Sequence, residues 1–442
     1  MRSLLGGVAY TGHWEVPSKA GRSRSYRRFR ISISCAIFGI VGIQLVCFAH
    51  TPARQLGEAN RGQTLMCTMI SRGILLGLLA ASAQWVCAAT DWPLWKSYTR
   101  TFMDDQVRVI DHDGGDRTTS EAQAYAMFFA LVANDRLRFD GLLKWTEANL
   151  ASGDLSKHLP AWLWGHSKDN HWEVLDSNSA SDADLWMAYT LVEAGQAWND
   201  PRYTAIGTAL AKKISADEVV QVSELGMVLL PAPRGFHSDD SYRLNTSYMP
   251  VQLLLRLSHF LPDGPWGQMA AGTPGLLADS TSHGFAIDWT EFKIAGPLKP
   301  APSPTGDPPN GSYDAIRVYL WAGMLNPASA GRDKILNALT GMTHYLHSNL
   351  VPPAKVRPDG SVEDPNGPVG FSAALLPYLS ALGEGDLENQ QSSRLQAALD
   401  SNGLYGKPPK YYDQNLALFC KGWTERRFWF DSDGSLKLAW KG

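Results

Sequence analysis

Beyond residue 89 this 442-residue chain contains a single cysteine, Cys420. One thiol closes no intramolecular disulfide. With no CxxC pair and no Cys/His cluster there is no zinc-type ligand spacing either, so neither a metal nor a cofactor is expected. Positive charge is also scarce there. After residue 89, 30 Lys+Arg face 41 Asp+Glu, a net of −11, against −3 for the whole chain. An acidic body disfavours nucleic acid and anionic membranes as partners and leaves a neutral or a cationic polymer. No repeat of fixed period is found, which counts against tandem helical arrays. Strand patterns are few: short apolar pieces at 219–222 and 428–437, the second with an Asp433-Gly434 turn signal.

The other four cysteines (Cys35, Cys47, Cys67, Cys87) lie within residues 1–89, where ten Lys+Arg meet only Glu15 and Glu58 as acids. Five arginines between Arg22 and Arg30 precede an apolar run at 31–49, which reads as a signal anchor or marginal membrane span. Residues 69–89 then have the layout of a secretory signal peptide: Arg72, an apolar run at 74–81, and small residues at Ala81-Ser82-Ala83 and Cys87-Ala88-Ala89. Two such segments in a row lead to the expectation that translation starts near Met66 or Met69. Residues 1–89 are then leader and 90–442 one folded domain, periplasmic or secreted. Export without disulfides suits a bacterial periplasm.

What the body has in abundance is helix pattern. Twelve segments are expected as helices: 92–102, 121–132, 139–150, 182–198, 201–215, 247–260, 265–277, 313–323, 332–350, 371–382, 388–400 and 411–423, with Gly272 and Pro274 interrupting the seventh. Such a count suggests a helical toroid or α-solenoid. The proline-rich run 299–311 reads as a surface excursion. Three acids stand where a Ser/Thr-bearing loop meets a strongly apolar helix. Asp182, with Asp184 beside it, follows the cap-type residues Ser179 and Ser181. Glu121 completes a Thr118-to-Glu121 capping box. Asp314 precedes Arg317 by one helical turn. Each fits helix capping or dipole compensation when taken alone; the three together also fit carboxylates converging on one face of a helical ring.

Ala180-Ser181-Asp182-Ala183-Asp184, Met187-Ala188, Leu191, Ala194 and Trp198 resemble the signature of glycoside hydrolase family 8, with Thr190 where Ser or Ala is more usual. The segments 119–127 and 312–317 resemble those bearing that family's general acid and general base. The resemblance covers nearly the whole chain after the leader. Within the family, the stretches 159–165, 172–180 and 367–373, and Gly422-Trp423 followed by Arg427-Phe428, resemble the endoglucanases that accompany bacterial cellulose synthases. It implies an (α/α)6 barrel of six inner and six outer helices, with loops forming an open cleft. The resemblance implies an inverting endo-β-1,4-glucanase whose partner is a cellulose chain, with the cellulose synthase complex as a further candidate partner. Carried over, Glu121 is the acid and Asp314 the base. Asp182 has a family label of nucleophile; an inverting reaction forms no covalent sugar intermediate, so it is assigned to holding and distorting the sugar.

Fourteen of the sixteen tryptophans follow residue 89. Trp186, Trp198 and Trp321 fall in apolar helices and read as core. Trp162, Trp164 and Trp172 fall in loops, where an indole can stack on a pyranose face. Tyr248, Tyr313, Asn178, Gln123, Asp184 and Arg317 complete the substrate-binding candidates. Other readings remain open: a family variant acting on chitosan or xylan, a glucan-binding protein without catalysis, or a lyase on a similar toroid, which the acidic body disfavours.

Overall fold

The computed structural model describes residues 91–441; the leader expectations therefore lie outside the described residues. The helices fall into two kinds. α1 (Pro93–Phe102), α3 (Arg136–Leu150), α5 (Pro201–Asp217), α7 (Trp266–Ser280), α9 (Arg332–Ala338), α10 (Thr340–Leu346) and α12 (Gly385–Ala397) each keep an exposed stripe. α2 (Ser120–Val132), α4 (Ser181–Ala197), α6 (Val251–Phe260), α8 (Ala315–Met324), α11 (Val369–Leu382) and α13 (Tyr411–Thr424) are buried nearly all round. A helix apolar on every side needs neighbours on every side, and a ring supplies them. α2 packs on α4, α4 on α6, α8 on α11, α11 on α13, and α13 returns to α2. The 3-10 turn Thr246–Tyr248, just ahead of α6, links α6 to α8. Outside this ring α3 lies on α2, α5 on α4, α7 on α6, α12 on α11 and α1 on α13, while α9 bridges α7 and α8. These are the inner and outer positions of an (α/α)6 barrel, as the resemblance implied.

The centre is aromatic. Trp186, Trp321 and Phe419, from three inner helices, are in ring contact with one another and with Tyr125 of a fourth, and Phe128 joins them through Trp186 and Phe419. The C-terminal hairpin of β11 (Phe428–Phe430) and β12 (Leu436–Leu438) reaches the same core. Its turn is at Gly434, where φ is +77° and a Cβ would stand 2.0 Å from the Gln252 carbonyl, so only glycine fits.

Three expectations need correction. The segment expected as one helix over 332–350 is two, broken at Leu339. The segment 265–277 runs on through Pro274 to Ser280; Gly331 packs directly on the Pro274 ring, and such burial outweighs the lost hydrogen bond. Strands are more numerous than expected, though none exceeds five residues. β1 (Thr118–Thr119), β2 (Leu163–His166) and β3 (Trp172–Asp176) form one antiparallel sheet. β4 (Val219–Val222) pairs with β5 (Gly226–Leu229), β6 (Ser241–Leu244) with β7 (Thr290–Lys293) and β8 (Leu298–Pro300), and β9 (Lys355–Val356) with β10 (Val362–Asp364). They brace the long loops between helices, and two of these sheets flank the acids.

Candidate active site

α2 begins with Thr119, whose hydroxyl accepts the Ala122 N–H at 3.1 Å. The capping box expected from Thr118 to Glu121 does not form. Thr118 donates instead to the Val109 carbonyl, and Glu121 is the one residue of α2 to keep part of its side chain, 18%, exposed. Ser179 and Ser181 likewise leave the start of α4 uncapped by side chains; the Ser179 hydroxyl donates to Glu218. At α8, Asp314 stands in the N-cap position but caps nothing.

All three acids turn to one cation. Arg317 is 3% exposed. Its Nη1 pairs with the Glu121 carboxylate. Its Nη2 meets Asp314 Oδ1 at 2.7 Å and lies 3.5 Å from Asp182 Oδ2. Nη2 also donates to the Ser247 hydroxyl at 3.0 Å, and Ser247 in turn donates to Asn245. Three inner helices thus deliver one carboxyl each to a single guanidinium. That cation cannot neutralise three anions, so the cluster favours keeping a proton. Burial pushes Glu121 up to about 7; Arg317 opposes this while the Asp182 and Asp314 charges add to it. Asp182 is raised to about 6, again chiefly by burial, although it accepts the Ala183 N–H at 2.8 Å. A carboxyl held protonated near neutrality beside a more exposed one is an arrangement suited to paired acid–base chemistry.

The start of α2 and the loop before α4 are stitched together by Trp162. Its carbonyl accepts the Ser120 N–H at 3.0 Å and its N–H donates to the Asn178 carbonyl at 2.7 Å. Trp164 and Trp172 face each other across β2 and β3, ring centroids 4.8 Å apart and nearly parallel, with the Arg108 guanidinium about as close to both. One indole face of each is thereby occupied by the other; Trp172 stays 45% exposed. Tyr313 is 51% exposed beside Phe371 and Tyr412. Tyr248 lies half-buried between Arg317 and Trp289. Asn178 donates to the Arg234 carbonyl at 2.9 Å.

Two of the sequence candidates are placed elsewhere. Asp184 is 0% exposed and makes no contact with Arg317 among the ion pairs of the cluster. It meets Glu218 behind Asp182; burial and Glu218 hold it well above the usual carboxylate range, and Glu218 is raised to about 8 by burial. Gln123 is spent on the Val109 N–H and Thr146. Arg317 is a hub for carboxylates rather than a free donor for sugar hydroxyls. Sequence reasoning missed Glu218, Ser247, Tyr412 and Asp288. Asp288 lies in the loop between α7 and β7, where no local pattern marks it. Among the described residues no group of three or more His, Cys, Asp or Glu is arranged to hold a metal; the cation amid the acids is Arg317.

The family model of glycosyl hydrolases family 8 matches residues 66–426. A protein from Escherichia coli O157:H7 named endoglucanase is 41% identical over 374 residues, which is 84% of this chain and 97% of that protein. An endoglucanase of Xanthomonas axonopodis pv. citri is 42% identical over 375 residues, 85% of this chain and 95% of its own length. The crystal structure of endo-1,4-D-glucanase from Vibrio fischeri ES114 superposes with a TM-score of 0.72 at 38% identity, covering 80% of this chain and all of that one. With the helical ring, the acids at its mouth and a family match across most of its length, the chain belongs to family 8 of the glycosyl hydrolases and is a glycoside hydrolase.

Proposed function

We propose that the protein is an inverting endo-β-1,4-glucanase acting on cellulose. The observation that carries this is the trio of acids on Arg317, with Glu121 raised to about 7. In this mechanism the protonated Glu121 gives its proton to the glycosidic oxygen as the bond to the anomeric carbon lengthens. The ionised Asp314 takes a proton from a water on the opposite face, and that water's oxygen closes on the carbon. The oxocarbenium-like state is positive, so the buried Asp182 stabilises it and holds the ring distorted. Inversion calls for carboxyls about 6.5–9.5 Å apart, with a water between. Trp162, Trp164, Trp172, Tyr248 and Tyr313 serve as stacking surfaces for the glucan. The relatives named endoglucanase support the bond and the internal cut. A place in bacterial cellulose synthesis, beside the synthase complex, follows from the resemblance in the segments 172–180 and 367–373. Periplasmic export follows from the leader pattern at 69–89, and N-terminal sequencing of the secreted protein tests it.

The activity test is reducing-end release from carboxymethylcellulose by the parent, Glu121→Gln and Asp314→Asn. Each substitution should cost roughly 10²–10⁴-fold in kcat, the range for acid–base catalysis. A parent that binds cellulose without cutting it, or that cuts only chitosan or xylan, would refute the glucanase reading.

A further inference from the structure

We propose that Asp288 is a positioning residue for the base: it takes over the capping of α8, and so leaves the Asp314 carboxyl free to face the attacking water. The inference rests on the reading of Asp314 as general base.

An aspartate at a helix start ordinarily turns its carboxyl onto a backbone N–H two or three residues ahead. Asp314 makes no such bond, and its Oδ1 is held by Arg317. The cap comes from 26 positions upstream. Asp288 Oδ1 accepts the N–H of Ser312 at 2.8 Å and of Ala315 at 2.7 Å, the two residues that bracket Tyr313-Asp314. The Asp288 backbone is itself anchored, donating to the Asn310 carbonyl at 2.9 Å. The turn is gripped from other sides as well. Gly311 exchanges both backbone bonds with Val356, Ser312 Oγ donates to the Ala354 carbonyl at 2.7 Å, and the Tyr412 hydroxyl donates to the Tyr313 carbonyl at 2.6 Å. Gly311 admits no side chain, because a Cβ there would lie 2.1 Å from the Ala286 carbonyl. Asp288 is the one carboxyl in this frame. It faces Asp314, Arg317 and Tyr412. Burial and the Asp314 charge raise it to about 7, so near neutrality it serves as an acceptor oxygen while carrying, on average, only part of a charge beside the base.

The test compares Asp288→Ala and Asp288→Asn with the parent, Glu121→Gln and Asp314→Asn on two substrates. Cellopentaose has a leaving oxygen that needs a proton; β-cellobiosyl fluoride has a leaving group that departs without one. Asn keeps an acceptor oxygen at the cap and Ala does not. Asp288→Ala should lose roughly 10²-fold in kcat with KM little changed, the scale of a displaced catalytic group. The loss should be equal on both substrates, because the defect is on the water side. Asp288→Asn should recover most of it, and should remain within about tenfold of the parent even if the Ala variant does not fold. Glu121→Gln should regain activity on the fluoride. An Asn variant as damaged as Asp314→Asn, a loss confined to cellopentaose, or an effect on KM alone would overturn the proposal. Full activity in Asp314→Asn would instead overturn the base reading on which it rests.

Discussion

Glu121 and Asp182 lie on different helices, yet the Asp182 charge raises the proton affinity of Glu121 beside Arg317. Glu121 must be protonated to act as the acid, and its raised value of about 7 fixes the sense of the pH response. Activity should fall as pH rises through about 7, approaching a tenfold loss in kcat/KM per pH unit on the alkaline side. Asp182→Asn removes one of the charges that raise Glu121. The alkaline limb should therefore move to lower pH in whatever activity that variant retains. A pH–rate profile for parent and variant checks both; a limb that stays in place would mean that Asp182 does not face the acid. At this scale the sequence was legible for the three acids because each sits at the first turn of a strongly apolar helix. It was not legible for Asp288 or Glu218. Their partners stand 24 or more positions away, and no local spacing encodes a bond across that distance.

The helices that carry these residues are held by contacts a side-chain pattern only half discloses. Behind the start of α4, Asp184 and Glu218 meet in the interior, next to the Ser179 hydroxyl, and both are raised. Two buried carboxyls so close together disfavour ionising both. A carboxyl whose folded value is raised binds protons that the unfolded chain releases at lower pH. The stability contributed by Glu218 is thus greatest in acid and declines as pH climbs from about 4.5 to about 8; Asp184, raised in the same direction, contributes a decline of the same sign. Asp184→Asn removes one of the two raised carboxyls, so its melting temperature should decline less over that window, by an amount on the order of several degrees. Thermal denaturation at several pH values reads this out, and parallel curves would contradict it. Where α8 crosses α11, Gly323 lies against the backbone of Pro377 and Tyr378, with a Cβ 2.2 Å from the Tyr378 nitrogen. Gly323→Ala should cost about 1–3 kcal/mol in urea unfolding as the two inner helices are forced apart. A variant as stable as the parent would mean that the crossing yields freely. The apolar stretches marked nearly every helix in advance. The break at Leu339 and the passage through Pro274 went unseen because tertiary packing decides both.

For the whole molecule, composition set limits that the architecture respects: an acidic body, no covalent staple in the described part, and enough apolar helix for a closed ring of contacts. Periodicity led as far as a toroid or solenoid; the family resemblance, resting on Ala180 to Trp198, narrowed it to the barrel. The loop sheets were largely hidden, since strands of two to five residues carry too few alternations to stand out. The barrel gathers three acids from three inner helices onto one arginine, and the central claim is that this cluster cleaves a β-1,4 bond in one displacement, with Glu121 and Asp314 on opposite faces of the sugar. The measurement that tests it most directly is proton NMR of cellopentaose hydrolysis, following the anomeric signals of the new reducing ends from the first minute. Inversion at the anomeric carbon predicts that the α-anomer appears first and the β-anomer only later, by mutarotation. New ends appearing first as the β-anomer would contradict it, and would return Asp182 to the role of nucleophile.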